Sequence, residues 1–126
     1  MVKTIVAYFF DSYAFFEIIE GNSNYKKYTR DIAIVTTKLN LMELHYGLLV
    51  KYGKYEADKY FDELINFAVD ISDDIIKMAN DFRLSMKGRK LSYVDCIGYI
   101  IARLRNIKFL TGDNQFENLD NVEFIK

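Results

Sequence analysis

The chain has 126 residues, 51% of them hydrophobic and 16% aromatic, which is material for one domain spanning 1–126 with a real core and too little length for two. Its formal net charge is −1, so no overall positive field marks a nucleic-acid binder, and any RNA-facing surface must gather its lysines and arginines locally. The single cysteine, Cys96, excludes an internal disulfide and a cysteine-rich zinc cluster; among Ile97, Gly98 and Tyr99 it reads as a buried, inert thiol.

In chain order, the apolar run after Met1 is broken by Asp11, too short for a membrane span and without a small-residue cleavage site. Neither a signal peptide nor a membrane anchor is expected, and a cytoplasmic protein is. Segments 4–10, 32–36, 107–110 and 122–125 are short, apolar or β-branched, and lack the alternation of a sheet with one wet face. They are predicted as buried strands, with 68–71 a weaker fifth candidate. A short helix is expected over 12–20, then a loop at 21–24. Leu39, Met42, Leu44, Leu48 and Leu49 form an apolar stripe through 37–52, and Tyr60, Phe61, Leu64 and Phe67 continue it over 55–67. Ile75, Met78, Ala79, Phe82 and Met86 have amphipathic helical spacing within 72–86. Ser92 is a natural N-cap for the helix over 92–105, whose inner face is Val94, Ile97, Ile100, Ile101 and Leu104. Strands alternating with helices long enough for crossovers predict an α/β fold with a mostly parallel sheet covered on both faces. There is no proline, so turns rest on Gly and Asn.

The acids stand out by position. Asp11 directly follows the first strand, Asp113 follows the third, and Asp95 lies in the first turn of the helix leading to it. Ligands of open parallel sheets bind beyond the carboxyl ends of the strands, where Asp11 and Asp113 would stand and to which the helix start would bring Asp95. Glu43 sits inside a helix between Met42 and Leu44, where a charge calls for a partner. Each acid also has a purely structural reading. Asp11 can cap the first helix, Ser92 and Asp95 can form a capping box, Asp113 suits a turn, and Glu43 can face solvent. The functional case is the four together.

Other chemistries are excluded more simply. His45 is the only histidine and lies on a different side of its helix from Glu43, so nucleophile–histidine pairs have no support. The glycines match neither Walker nor dinucleotide spacing. The tyrosines Tyr46, Tyr52, Tyr55 and Tyr60 suit a core or a subunit contact better than a base-stacking platform.

Four segments carry a family resemblance: Phe10-Asp11-Ser12-Tyr13-Ala14, Leu41-Met42-Glu43-Leu44-His45-Tyr46-Gly47, Leu91-Ser92-Tyr93-Val94-Asp95, and Leu110-Thr111-Gly112-Asp113-Asn114-Gln115-Phe116. In order, spacing and total length the chain resembles the PIN domain, in particular the VapC-type toxins of toxin–antitoxin pairs. The resemblance implies a three-layer α/β/α sandwich, a ribonuclease activity, homodimerisation, and inhibition by a VapB-like antitoxin. It places Asp11, Glu43, Asp95 and Asp113 at the family's acidic metal-site positions and Ser12 and Thr111 where it often has hydroxyls. Many relatives carry a further acid where this chain has Gln115.

Hard oxygen ligands select Mg²⁺ or Mn²⁺. Without a cation, four gathered carboxylates repel one another and some keep protons. A metal-dependent endonucleolytic hydrolysis of RNA is therefore expected, needing neither histidine nor the ribose 2′-hydroxyl as nucleophile, and leaving a 5′-phosphate and a 3′-hydroxyl. The candidate RNA guide is the basic run Arg83, Lys87, Arg89 and Lys90 leading into Ser92, with Lys38 upstream of Glu43. Two rivals stand beside this reading. One is a PIN-like module that binds RNA or protein without cleaving, which Gln115 favours. The other is a receiver-type signalling domain, disfavoured because the first strand ends in one acid and no lysine follows the late strand.

Overall fold

The computed structural model describes residues 5–126; Thr4, where the first predicted strand begins, lies outside the described residues. Four strands form one sheet: β1 (Val6–Phe10), β2 (Ile32–Val35), β3 (Lys108–Thr111) and β4 (Val122–Phe124). Their order is β2-β1-β3-β4 and every pairing is parallel, with Phe9 opposite Val35 on one side and Phe109 on the other. Helix α1 (Ser12–Ile19) and a 3₁₀ turn, Ser23–Tyr28, lead from β1 to β2. The long return from β2 to β3 runs through α2 (Lys38–Tyr52), α3 (Lys54–Leu64), α4 (Asp73–Ser85) and α5 (Tyr93–Leu104).

Successive strand residues point to opposite faces, and this splits the core into two. Phe9 and Phe109 face Ala79 and Phe82 of α4 and Cys96, Ile97 and Tyr99 of α5. Phe10 and Leu110 face Ala14 and Phe15 of α1, Leu41, Leu44 and Leu48 of α2, and Ala57 of α3. The predicted α/β/α sandwich is the observed one. Gly98 sets how closely α5 lies on the sheet, because a Cβ there would fall 2.6 Å from the Phe9 ring and 3.0 Å from that of Phe109.

Three local expectations change. Residues 68–71 do not form a strand; Ala68 makes only an isolated parallel bridge to Thr36. The 21–24 loop tightens into the 3₁₀ turn because the Asn22 side chain accepts from the Asn24 N–H, a local bond that competes with open loop. The third helix starts at Lys54 and ends at Leu64, and the rest of its predicted span is a 3₁₀ turn, Ile65–Phe67. Among the described residues, no helix is long and apolar enough to cross a membrane.

The chain leaves β1 toward β2 and later returns to the other side of β1 as β3. The connections therefore diverge between β1 and β3, the kind of switch point at whose carboxyl edge open parallel sheets bind their ligands. Asp11 and Thr111 stand at that point.

Candidate active site

Asp11 is the innermost acid, 3% exposed, and it caps α1. Its Oδ1 accepts from the Ser12 N–H at 2.8 Å, and its Oδ2 accepts from the Thr111 hydroxyl, also at 2.8 Å. The first residue of α1 and the last of β3 thus clamp one carboxyl group at the switch point. Thr111 also accepts from the Asp113 N–H at 3.1 Å, so a single hydroxyl fixes both Asp11 and the start of the following turn.

Glu43 has the partner its position demanded. The Ser12 hydroxyl donates to Glu43 Oε1 at 2.7 Å, linking α1 to α2. Beneath this pair lies Asn40, fully buried, whose Nδ2 reaches Ser12 Oγ at 3.5 Å while its Oδ1 accepts from the Thr37 hydroxyl at 2.6 Å. Thr36 donates to the Phe10 carbonyl, tying the end of β2 to the end of β1. Asn40, Thr36 and Thr37 went unnoticed in the sequence. The only signal was Thr37-x-x-Asn40, an N-cap spacing one turn ahead of Glu43 on the same helix face.

Asp95 forms the capping box with Ser92: its Oδ2 accepts from the Ser92 N–H, and its own N–H donates to Ser92 Oγ. Asp113 caps the turn Asn114–Phe116 by accepting from the Gln115 N–H at 3.0 Å. The structural readings of Asp11, Asp95 and Asp113 are therefore all realised. They do not displace the functional reading, because the caps occupy one oxygen each of Asp95 and Asp113 and leave the other, among the described residues, without a hydrogen-bond partner.

The acids feel one another. Burial pushes the Asp11 carboxyl up to about 8, with the negative charge of Asp95 second and that of Glu43 weaker, against the lowering pull of Thr111 and Ser12. Burial likewise raises Asp95 to about 6, against the bonds from Ser92 and with further push from Asp113 and Glu43. Among the described residues no ion pair reaches any of the four. Nor is any group of three or more His, Cys, Asp or Glu side chains among the described residues spaced to hold a metal ion as it stands. Their charges couple Asp11 to Asp95 and Glu43, and Asp95 to Asp113 and Glu43, without the side chains closing into a shell.

The basic run divides. Arg83, Lys87, Arg89 and Lys90 line one cleft with Tyr93, whereas Lys38 lines a separate concavity with Met42, His45 and Phe61. Arg83 and Arg89 are engaged with the backbone: Arg83 Nε donates to the Leu91 carbonyl, and Arg89 Nη1 donates to the carbonyls of Gln115 and Glu117. Gln115 in turn accepts from the Lys90 N–H through Oε1, which gives that side chain a structural task at the rim.

The remaining residues behave as bystanders. His45 pairs with Asp58 at 2.8 Å and stands edge-on to Phe61, holding α2 to α3. Burial raises the Cys96 thiol to about 11, in keeping with inert packing. Of the four tyrosines offered as core or contact residues, Tyr60 packs into the core, while Tyr46, Tyr52 and Tyr55 are exposed.

Comparison with known proteins gives a consistent result. A family model for the PIN domain matches residues 8–122. The fold is similar to that of Mycobacterium tuberculosis VapC20, a toxin that cleaves the sarcin–ricin loop: TM-score 0.77 and 18% identity, over 94% of this chain and 99% of that one. It is similar to VapBC2 of Rickettsia felis bound to a promoter DNA fragment (TM-score 0.71, 18% identity, 96% and 100% of the two chains). It is also similar to VapBC-5 of M. tuberculosis (TM-score 0.69, 20% identity, 96% and 98%). No curated protein matches the chain in sequence.

Proposed function

Because the chain belongs to the PIN domain family, we propose that it is a divalent-metal-dependent endoribonuclease and the toxin of a toxin–antitoxin pair. The observation that carries the proposal is Asp11: a buried carboxyl at the strand switch point, pushed up to about 8 by burial and by Asp95, with no cation paired to it among the described residues. Stability alone gives no reason to gather acids around a buried acid. A divalent cation does, since it reverses the repulsion that holds protons on Asp11 and Asp95.

The donor set fits Mg²⁺ or Mn²⁺. It is all oxygen, and its open arrangement suits an ion that keeps several waters and takes only one or two carboxylates directly. Such an ion supplies neutralisation of charge on the scissile phosphate and activation of a water molecule. The chain supplies the rest. Asp11 and Asp95 would hold the ion, Asp11 aimed by Thr111 and the Ser12 N–H. Glu43 and Asp113 would hold a second ion or orient water, Glu43 itself held by Ser12. In this reading a water activated by the ion, rather than the ribose 2′-hydroxyl, would be the nucleophile, and the product ends distinguish the two. RNA and a VapB-like antitoxin are the proposed partners, a homodimer the proposed assembly, and the cytoplasm the proposed location.

Metal titration of RNA cleavage tests the proposal. Wild type is expected to cut labelled RNA with Mg²⁺ or Mn²⁺ but not in EDTA, leaving 5′-phosphates, while Asp11→Asn and Asp95→Asn lose the activity. Products ending in 2′,3′-cyclic phosphate would contradict the mechanism. RNA binding without cleavage at any metal concentration would instead identify a non-catalytic binding module.

A further inference from the structure

We propose that the cleft at the junction of α4 and α5 is a subsite for one unpaired nucleotide of single-stranded RNA, with the base stacked on Tyr93 and the phosphate held by Lys87 and Lys90. The proposal rests on the ribonuclease reading above and specifies which strand form that enzyme accepts.

The cleft has a volume of about 280 Å³ and is lined by Arg83, Lys87, Arg89, Lys90, Leu91 and Tyr93, among others. That is near the lower end of the roughly 300–1,000 Å³ of ligand pockets, room for one nucleoside-sized group rather than a duplex. Tyr93 is the first residue of α5 and 62% exposed, an aromatic ring that no core packing explains. Its ring is held from one side by the Arg83 guanidinium, whose carbon lies 4.2 Å from the ring centroid. Arg83 is itself fixed by its bond to the Leu91 carbonyl at 3.0 Å. The result is an exposed, cation-backed aromatic ring, the kind of surface on which unpaired bases stack.

The cations have separate tasks. Arg83 and Arg89 build the walls, because their donors go to backbone carbonyls. The ammonium groups of Lys87 and Lys90 make no hydrogen bond or ion pair among the described residues, so they can meet a phosphate at little cost. Tyr93 and Asp95 are two positions apart in the first turn of α5, about 3 Å along its axis. Their side chains leave α5 on different sides, and the cleft is tied to the acids through its rim: the Lys90 N–H donates to Gln115 Oε1, and the Gln115 N–H donates to Asp113 Oδ1. A paired base, already stacked within its helix, cannot offer its face to the ring.

Fluorescence anisotropy with a labelled 12-nucleotide RNA in EDTA, paired with Mg²⁺-dependent cleavage of the same RNA, tests this. Tyr93→Ala is expected to weaken single-strand binding about 5- to 150-fold, the range for loss of one base–aromatic stack, while Tyr93→Phe stays near wild type. Lys87→Gln and Lys90→Gln should each lower the salt slope by about 0.7. The duplex of the same sequence should bind more weakly and ignore Tyr93→Ala. Unchanged single-strand binding in Tyr93→Ala overturns the subsite, as does a duplex equally dependent on Tyr93. Adenosine 5′-monophosphate competing as well as the oligonucleotide would make a free nucleotide, not RNA, the ligand, and overturn it too. A wild type that cleaves RNA while Tyr93→Ala changes nothing rejects the subsite alone. A wild type that binds through Tyr93 but never cleaves rejects the ribonuclease reading and keeps the subsite.

Discussion

The Ser12 hydroxyl donates a 2.7 Å hydrogen bond to Glu43 Oε1, joining the first residue of α1 to the second turn of α2. Ser12 thereby acts twice on the proposed site, since its N–H also holds Asp11. Removing the hydroxyl frees Glu43 to rotate away while leaving Asp11 its backbone bond. Ser12→Ala should lower metal-dependent cleavage by about 10- to 100-fold, the usual effect of losing a partner that orients a ligand, and Ser12→Thr should restore most of it. Single-turnover rates with the three proteins check this, and equal rates would remove Ser12 from the site.

Thr111 serves the buried carboxyl directly. Thr111→Val keeps the shape of the side chain but takes away the one side-chain donor that Asp11 Oδ2 has among the described residues. A buried acceptor left without its donor costs about 1–3 kcal/mol. Urea denaturation in EDTA should show a loss in that range, and Thr111→Ser should recover it. No change in the midpoint would mean the bond contributes nothing to the fold.

Stability of the metal-free protein should fall as pH rises. Asp11 at about 8 and Asp95 at about 6 both hold protons more tightly than an unfolded aspartate does. Their contribution is complete below about pH 4, where folded and unfolded forms are both protonated, and is lost as pH climbs through 6 and then 8. Thermal melts in EDTA between pH 5 and 8.5 should show this decline. Mg²⁺ should flatten it, and Asp11→Asn should remove most of it. A midpoint that rises across that range would contradict the sign.

Gly98 should resist even the smallest enlargement. Alanine usually stabilises a helix by about 1 kcal/mol over glycine. Here its methyl would press on Phe9, which is already stacked on Phe109 at 5.5 Å and has no room to retreat. Overpacking of about 1–3 kcal/mol should win, leaving Gly98→Ala less stable than wild type in denaturant unfolding. The displaced α5 carries Asp95, so cleavage should fall with it.

The parts of this molecule readable in advance were those written in local pattern. A short apolar run ending in an acid located Asp11, Ser92 three residues ahead of Asp95 announced the capping box, and β-branched runs marked the strands. What stayed hidden depends on partners far along the chain. Asn40, between Leu39 and Leu41, looks like a solvent-facing helix residue; its burial follows from the packing of α1 against α2, which also brings up Ser12 from 28 positions away. Arg89 looked like a free phosphate binder because its charge is visible in sequence, while the carbonyl that occupies it belongs to Gln115, 26 residues on. The tyrosines of α2 and α3 followed a helical stripe whose exposed side only the packing of the two helices decides.

Calorimetric titration of the protein with Mn²⁺ near pH 7, repeated in buffers of different ionisation enthalpy, addresses the proposed four-carboxylate site most directly. Saturable binding with release of about one proton, from a carboxyl near 8, is the predicted result, and Asp11→Asn should abolish it. Binding that survives Asp11→Asn unchanged, or no binding at all, would show that these acids do not form a cation site.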